Sequence, residues 1–320
     1  MSKYSIGIDL GGTKILTAIV NKENGEVVSY IKKKTKKDKG PEKIIKKINN
    51  SINEVLETAN LSINEIDDIG IGAAGQVNRK DGVIINAPNL DCKDLNIKEI
   101  LQKEFNKDIF LGNDVEIATI GEMFFGSGKE EQDFVCIFVG TGIGSGIVQN
   151  GKIRYGSTGT AGEIGHIIVD VGGRPCGCGG CGCLEAYASR LAIEKRIIGA
   201  LKKGRTSDIV NYLEEDKPIK TSMIKKSLEN KDELIAQIIN EASEYLASGL
   251  ASIINFYNPS LIILGGGLMN AIEYFYDHST EIAKIKALPT PAKNIRFKKA
   301  QLGDFSGVIG AALLATYRNK

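Results

Sequence analysis

Four of the six cysteines, Cys176, Cys178, Cys181 and Cys183, crowd together ten residues after His166. With that histidine they offer more soft donors than the four a tetrahedral Zn²⁺ takes. The spacing suits a metal and poorly suits structural disulfides. A second kind of chemistry is signalled by Asp9-Leu10-Gly11-Gly12-Thr13-Lys14. Two glycines let backbone N–H groups approach phosphate oxygens, Thr13 adds a hydroxyl and Lys14 a charge. Asp9 is placed to hold Mg²⁺ through water, since that ion keeps much of its hydration shell. Gly140-Thr141-Gly142-Ile143-Gly144 repeats the device, and Gly265-Gly266-Gly267 follows an apolar run as if backbone passes close to a flat ligand. None of the three matches the P-loop pattern. Asn113-Asp114 joins an apolar run to a helical one, so Asp114 reads either as a helix N-cap or as a proton acceptor.

These residues need elements to hold them. Residues 4–34 read as a β-meander of Ile6–Leu10, Ile15–Val20 and Val27–Ile31. Pro41 opens a helix whose apolar positions Ile44, Ile45, Ile48, Ile52, Val55 and Leu56 recur at helical spacing. Strand Ile66–Ala73, a loop-rich stretch to Leu95, a short helix, strand Asp108–Leu111 and helix Val115–Phe125 complete a first lobe. The second opens with a hairpin, Phe134–Gly140 and Gly146–Val148. It continues through a Gly- and Cys-rich segment to helix Asp232–Phe256, buried strand Leu261–Leu264 and strand Ile295–Lys299. Both halves open with strand, glycine turn, strand, which reads as internal duplication of an α/β unit. The division expected is 1–115, joined by the C-terminal helix at about 304–320, and 116–303, with the metal loop at 166–183. That last helix is expected over Val308–Tyr317.

The chain's 320 residues suffice for two lobes. A hydrophobic content of 42%, a charged content of 25% and a net charge of +2 describe an ordinary globular protein without a field for nucleic acid. The densest basic run, Lys32 to Lys37, is interrupted by Thr35 and followed by Asp38, and reads as a solvated strand end or loop. No apolar run approaches the roughly 20 residues of a membrane span, and no signal-peptide pattern opens the chain. A cytoplasmic location is expected, with no nucleic-acid and no membrane partner.

Across nearly its whole length the sequence resembles the ROK family (repressors, open reading frames and kinases) of the actin-like ATPase superfamily. The matching pieces are Asp9–Lys14, Ala87-Pro88-Asn89-Leu90, Asn113-Asp114, Gly140–Gly146, Glu163-Ile164-Gly165-His166, Cys176-Gly177-Cys178-Gly179, Gly182-Cys183-Leu184-Glu185 and Asn258-Pro259 through Gly267. Glu-x-Gly-His with its downstream cysteines is the most specific of them. The similarity is greatest to the bacterial glucokinases of the family.

The resemblance implies a two-lobed α/β fold, ribonuclease H-like, with ATP and sugar in the cleft between the lobes. It assigns Asp9, Gly11, Gly12, Thr13, Lys14, Thr141 and Gly142 to the phosphates and Gly265, Gly266 and Gly267 to the adenosine. To the sugar it assigns Gly75, Asn89, Asn113, Asp114, Glu163, His166 and Glu185, with Asp114 as general base. Of the five soft donors it selects His166, Cys176, Cys178 and Cys183 for a structural Zn²⁺ and leaves Cys181 over. The implied reaction is transfer of phosphate from ATP, with Mg²⁺, to a hexose, glucose foremost, by a homodimer or homotetramer. N-acetylmannosamine, N-acetylglucosamine and fructose are the alternative acceptors. A sugar-responsive repressor of the family would carry a helix-turn-helix ahead of the first phosphate strand, and that strand is expected by Tyr4. Ala74, Gly112 and Glu116 depart from the family pattern of Pro, Glu and Asn, which leaves sugar selectivity open.

Overall fold

The computed structural model describes residues 2–35, 40–214 and 217–319, so the Lys36–Asp38 part of the basic run lies outside the described residues. By its contacts the chain divides into two compact units, Met1–Glu130 with Gln301–Lys320, and Glu131–Ala300. Each unit has its own hydrophobic core.

The first unit starts with the meander β1 (Tyr4–Leu10), β2 (Lys14–Asn21) and β3 (Val27–Lys34), followed by helix α1 (Pro41–Ala59). Proline at its first turn starts α1, and Asn60 in a left-handed conformation ends it. Its buried stripe, Ile44, Ile48, Ile52, Val55 and Leu56, packs into the core. Then come β4 (Ile66–Ala73), β5 (Gln76–Asn78), β6 (Val83–Ala87), β7 (Cys92–Asn96), α2 (Ile97–Phe105), β8 (Asp108–Asn113) and α3 (Asp114–Phe125). The stretch expected to be loop-rich to Leu95 is instead a three-stranded sheet, β5-β6-β7. Its strands of three to five residues are too short to show an alternating pattern.

The second unit holds β9 (Phe134–Val139), β10 (Ile143–Gln149) and β11 (Lys152–Ile153). Its first two helices, α4 (Glu185–Ala188) and α5 (Arg190–Lys202), follow the Gly- and Cys-rich segment. Further on lie α6 (Thr221–Glu229), α7 (Glu233–Tyr257), β12 (Leu261–Gly265), α8 (Gly267–Ala271), α9 (Glu273–Lys286), α10 (Pro289–Asn294) and β13 (Arg296–Lys299). Strand β10 begins at Ile143 and not at Gly146, so the glycine turn is confined to Gly140–Gly142 and closed by Gly140 N–H on Gly142 O at 2.9 Å.

The two large sheets have the same plan. The first is ordered β3-β2-β1-β4-β8 and the second β11-β10-β9-β12-β13. In each an antiparallel meander adds two parallel strands beside its first member. This repeated topology is what an internal duplication leaves behind.

The chain re-enters the first unit as α11 (Ser306–Ala312) and α12 (Leu314–Arg318), a break at Leu313 replacing the single helix expected there. Close packing of α11 depends on glycines. A Cβ on Gly7 would lie 1.8 Å from Val308 O, and one on Gly70 1.8 Å from Ala311 O. The departure and return of the chain are held by Glu122. Its buried carboxylate accepts from Ser127 N–H at 2.9 Å, Gln301 N–H at 3.1 Å, Leu302 N–H at 3.0 Å and the Ser306 hydroxyl at 3.0 Å. Four donors offset the cost of burying the charge. Helix α3 packs on α11, so it belongs to the first unit and the contacts divide the chain after Glu130, not at 115.

Candidate functional site

In the first unit the parallel strands β1, β4 and β8 end side by side. Asp9 pairs with Gly72, and Ala73 pairs with Asn113. The C-terminal edge of such strands is where open α/β sheets bind ligands. Sheet register therefore brings Asp9, Gly75 and Asn113-Asp114 to one edge.

The turn after Asp9 is tight, with Gly11 N–H donating to Lys14 O at 3.0 Å. It is pinned from outside by Thr35, whose N–H donates to Thr13 O at 2.9 Å and whose hydroxyl donates to Gly11 O at 3.2 Å. Gly12 passes against Asn89: a Cβ there would lie 2.7 Å from the Asn89 Cβ. The proposed phosphate and sugar residues of this unit are thus neighbours. Lys14 pairs with the exposed Asp304 at 3.7 Å, as does Lys32 at 3.5 Å.

Helix α3 is capped by Asn113 and not by Asp114. The Asn113 side chain accepts from Val115 N–H at 2.9 Å, and its Nδ2 donates to Gly75 O at 3.0 Å. Asp114 is the first helical residue, and its Oδ1 shares the Val115 N–H at 2.9 Å. Burial above all, then the charge of Asp9, pushes the Asp114 carboxyl up to about 6, against the lowering effect of its hydrogen bonds. Asp9 is also raised, by burial first, with Lys14 opposing and Asp304 adding. A base near neutral pH at a strand end is suited to take a proton from a hydroxyl.

Gly75 has φ +120°, and a Cβ on it would lie 2.3 Å from Asn86 O, so only glycine fits. The departures have local explanations. Ala74 N–H donates to Leu10 O at 3.2 Å, a bond a proline lacks. Gly112 leaves room for the Glu116 carboxylate, whose carbon would sit 3.3 Å from a Cβ there. Glu116 is buried and occupied by Arg79 Nε at 2.6 Å and Asn113 N–H at 3.1 Å.

In the second unit, Glu185 is tied to the glycine turn. Its Oε2 accepts from Ile143 N–H at 2.8 Å and would lie 2.3 Å from a Cβ on Gly142. The segment Glu163–His166 docks on β10, where a Cβ on Gly165 would meet Ile143 O at 2.3 Å. Thr141, Gly142, Glu163, His166 and Glu185 therefore gather at one end of this sheet. Gly266 (φ +98°) passes over Val139, with 2.3 Å from a Cβ to its carbonyl, and brings the Gly265–Gly267 turn to the same strand end. One neighbour escaped sequence reasoning. Arg190 N–H donates to Gly140 O at 2.9 Å, its Nη2 to Thr141 Oγ1 at 3.3 Å and its Nη1 to Glu194 at 3.0 Å. A cation in the first turn of a helix opposes the helix dipole, and that oddity was the available signal.

His166, Cys176, Cys178 and Cys183 bring one ligand atom each within 4.8 Å of one another. Cys178 and Cys183 sulfurs are 3.7 Å apart, and Cys176 Sγ is 3.7 Å from His166 Nδ1. A tetrahedral Zn²⁺ with bonds of about 2.0–2.3 Å sets its ligands roughly 3.5–3.8 Å apart, so the donors fit that ion. The loop is shaped by Ile168 bridging to Cys183 and Pro175 to Cys181, and the latter leaves the exposed Cys181 outside the cluster. With Nδ1 toward the sulfurs, the Nε2 edge of His166 is the one left for another partner. Among the described residues no helix is long and apolar enough to cross a membrane.

Two sheets of one topology, each ending in a glycine turn and carrying polar groups at its strand ends, define an actin-like ATPase fold. The chain belongs to the ROK family, whose model matches residues 5–318. It is 31% identical to a glucokinase of Halalkalibacterium halodurans, over 98% of this chain and 94% of that one. A xylose repressor of Caldicellulosiruptor bescii is 29% identical, over 95% of this chain and 76% of the repressor. Among solved structures, a ROK family glucokinase from Streptomyces griseus in complex with glucose and AMPPNP superimposes with a TM-score of 0.85. It is 30% identical and the match covers 99% of this chain and 100% of that one.

Proposed function

We propose that the protein is an ATP-dependent hexose kinase acting on glucose and yielding glucose 6-phosphate and ADP. The observation that carries this reading is Asp114, a half-buried carboxylate with its pKa raised to about 6, beside Asn113 and at the strand edge shared with Asp9. A sugar hydroxyl is a poor nucleophile at neutral pH. Asp114 accepts its proton as the bond from the sugar oxygen to the γ-phosphorus forms and the bond from that phosphorus to the β,γ-bridging oxygen breaks. The electron pair leaves with ADP.

The remaining roles follow from position. In the first unit Gly75, Asn89 and Asn113 orient the sugar, and Gly11, Gly12, Thr13 and Lys14 hold phosphate. In the second, Glu163, His166 and Glu185 carry acceptors and a donor suited to sugar hydroxyls. Thr141 and Gly142 suit phosphate, and Gly265, Gly266 and Gly267 suit adenosine. Sites of this kind discriminate well, because a missing hydroxyl leaves a buried polar group unpaired. Mg²⁺, when bound, neutralises charge on the phosphate oxygens, and Asp9 is the residue suited to hold it through water.

A structural Zn²⁺ on His166, Cys176, Cys178 and Cys183 would order a loop with little apolar core of its own. The closed set leaves no coordination position for a substrate. A cytoplasmic homodimer or homotetramer is part of the same reading, and cysteines spaced for a metal suit a reducing compartment. Retention of both Asp9 and Asp114 favours a working kinase over a sugar sensor. The test is ADP release by the purified protein across a panel of hexoses and N-acetylhexosamines, with glucose expected to give the highest kcat/KM. ADP release with no hexose sinks the reading.

A further inference from the structure

Resting on the kinase reading above, we propose that the Arg79–Glu116 ion pair is a positioning clamp for the sugar acceptor. It ties the hairpin that carries Gly75 to the helix start that carries Asn113 and Asp114. Glu116 is the third residue of α3, and its side chain is 4% exposed. A single oxygen, Oε2, accepts from both Asn113 N–H at 3.1 Å and Arg79 Nε at 2.6 Å. The first bond completes the capping box of α3, a task a neutral glutamine performs equally well. The pair with Arg79 does call for the full charge, which the cap does not.

Arg79 directly follows β5, three residues after Gln76 and four after Gly75. The hairpin and the helix start are therefore tied at Asn113 Nδ2 on Gly75 O at 3.0 Å and again at Arg79 on Glu116. The clamp is braced from behind by the C-terminal Arg318. Its Nη1 donates to Arg79 O at 3.3 Å and its Nη2 to Leu111 O at 2.5 Å, on the strand that ends in Asn113. Its guanidinium also lies over the Phe110 ring, 5.8 Å from the centroid. Gly112 keeps the space under the Glu116 carboxylate clear. Buried ion pairs seldom add net stability over apolar replacements, and register is their best-attested use. Here the register set is between two backbones that flank the proposed base. Arg79 and Glu116 act through Asn113 and Gly75, so they are positioning residues and not catalytic ones.

The experiment is a double-mutant cycle of Arg79→Met, Glu116→Gln and both together, read as glucose and ATP kinetics with Tm alongside. Glu116→Gln keeps the cap acceptor and so keeps the helix start, whatever Arg79→Met does to folding. Each single change is expected to lower kcat/KM for glucose at least tenfold, through both kcat and KM, with KM for ATP within twofold of wild type. The double variant is expected to be no worse than the worse single, within about threefold. Losses that multiply in the double variant, a KM for ATP that moves equally, or losses that follow Tm alone overturn the clamp. A wild type that turns over no hexose overturns the kinase reading separately. The clamp is then judged by the same cycle on sugar affinity measured by calorimetry, where multiplicative losses or no sugar binding at all overturn it.

Discussion

Asp9 lies near the end of β1 and Asp114 just after the end of β8, two strands of one sheet separated only by β4, and the charge of Asp9 helps hold Asp114 protonated to about pH 6. A base works only when ionised, so kcat/KM for glucose should rise with pH through about 6 and level off above it. Neutralising Asp9 removes one cause of the shift. In Asp9→Asn, expected to be slower overall because of the Mg²⁺ role proposed for Asp9, the acidic limb of the residual activity should move to lower pH. A limb that stays in place or moves upward contradicts the coupling.

The metal loop should be separable from the nucleotide loops. Cys178→Ser, or removal of zinc by chelation, is expected to cut bound zinc from one per chain to near none and to weaken glucose affinity at least tenfold. Nucleotide affinity should change by less than threefold, because the Asp9–Lys14 and Gly265–Gly267 turns hang on apolar strands. Cys181→Ser, outside the cluster, should keep its zinc. Metal analysis with calorimetry for each ligand reads this directly, and a fully active wild type without zinc contradicts it.

Arg190 holds the Gly140-Thr141 turn through one backbone and one side-chain bond. Replacing it by glutamine removes a charge-assisted contact of the kind that contributes about 1.5–3 kcal/mol. KM for ATP should rise about tenfold while KM for glucose changes little. An unchanged KM for ATP leaves Arg190 with a structural role only.

Glucose should exceed every N-acetylhexosamine by at least tenfold in kcat/KM. Glu116, placed by its sequence position among the suspects for altered selectivity, turns its carboxylate to Arg79 and Asn113 N–H. Exchange of Ala74, whose N–H is bound to Leu10 O, should therefore alter selectivity more than Glu116→Gln does. Competition assays with paired sugars report the ratio, and a preference for an N-acetyl sugar reverses the assignment.

The long amphipathic helices α1 and α7, the glycine turns and the His/Cys cluster were legible because each is written in local spacing. The three-stranded sheet was not, since strands of three to five residues carry too few alternations to stand out from a loop. Long-range polar partners were equally hidden. Glu122 meets Gln301 and Ser306 across about 180 residues of sequence, and Glu116 meets Arg79 across 37. Neither partner is implied by any pattern near the carboxylate. Spacing alone made all four cysteines equivalent; the family resemblance set Cys181 aside, and in the fold it lies outside the cluster, bridged to Pro175. Asp114 was legible as a candidate base, while its neighbour Asn113 took the cap.

The most direct test is Asp114→Asn, compared with wild type for glucose phosphorylation by ATP at about pH 7.5, after calorimetry has shown that both bind glucose. The amide keeps the shape but accepts no proton, so kcat should fall by about 10²–10⁴ with glucose affinity within a few-fold. Stability supplies the control. A carboxyl raised from 3.8 to about 6 gives its full stabilisation below about pH 3.8, and that contribution is lost as pH rises through about 6. The neutral amide should thus raise Tm at pH 7, and turnover lost alongside a raised Tm is not lost fold. A variant that folds, binds glucose and keeps wild-type kcat contradicts Asp114 as the base and the mechanism with it.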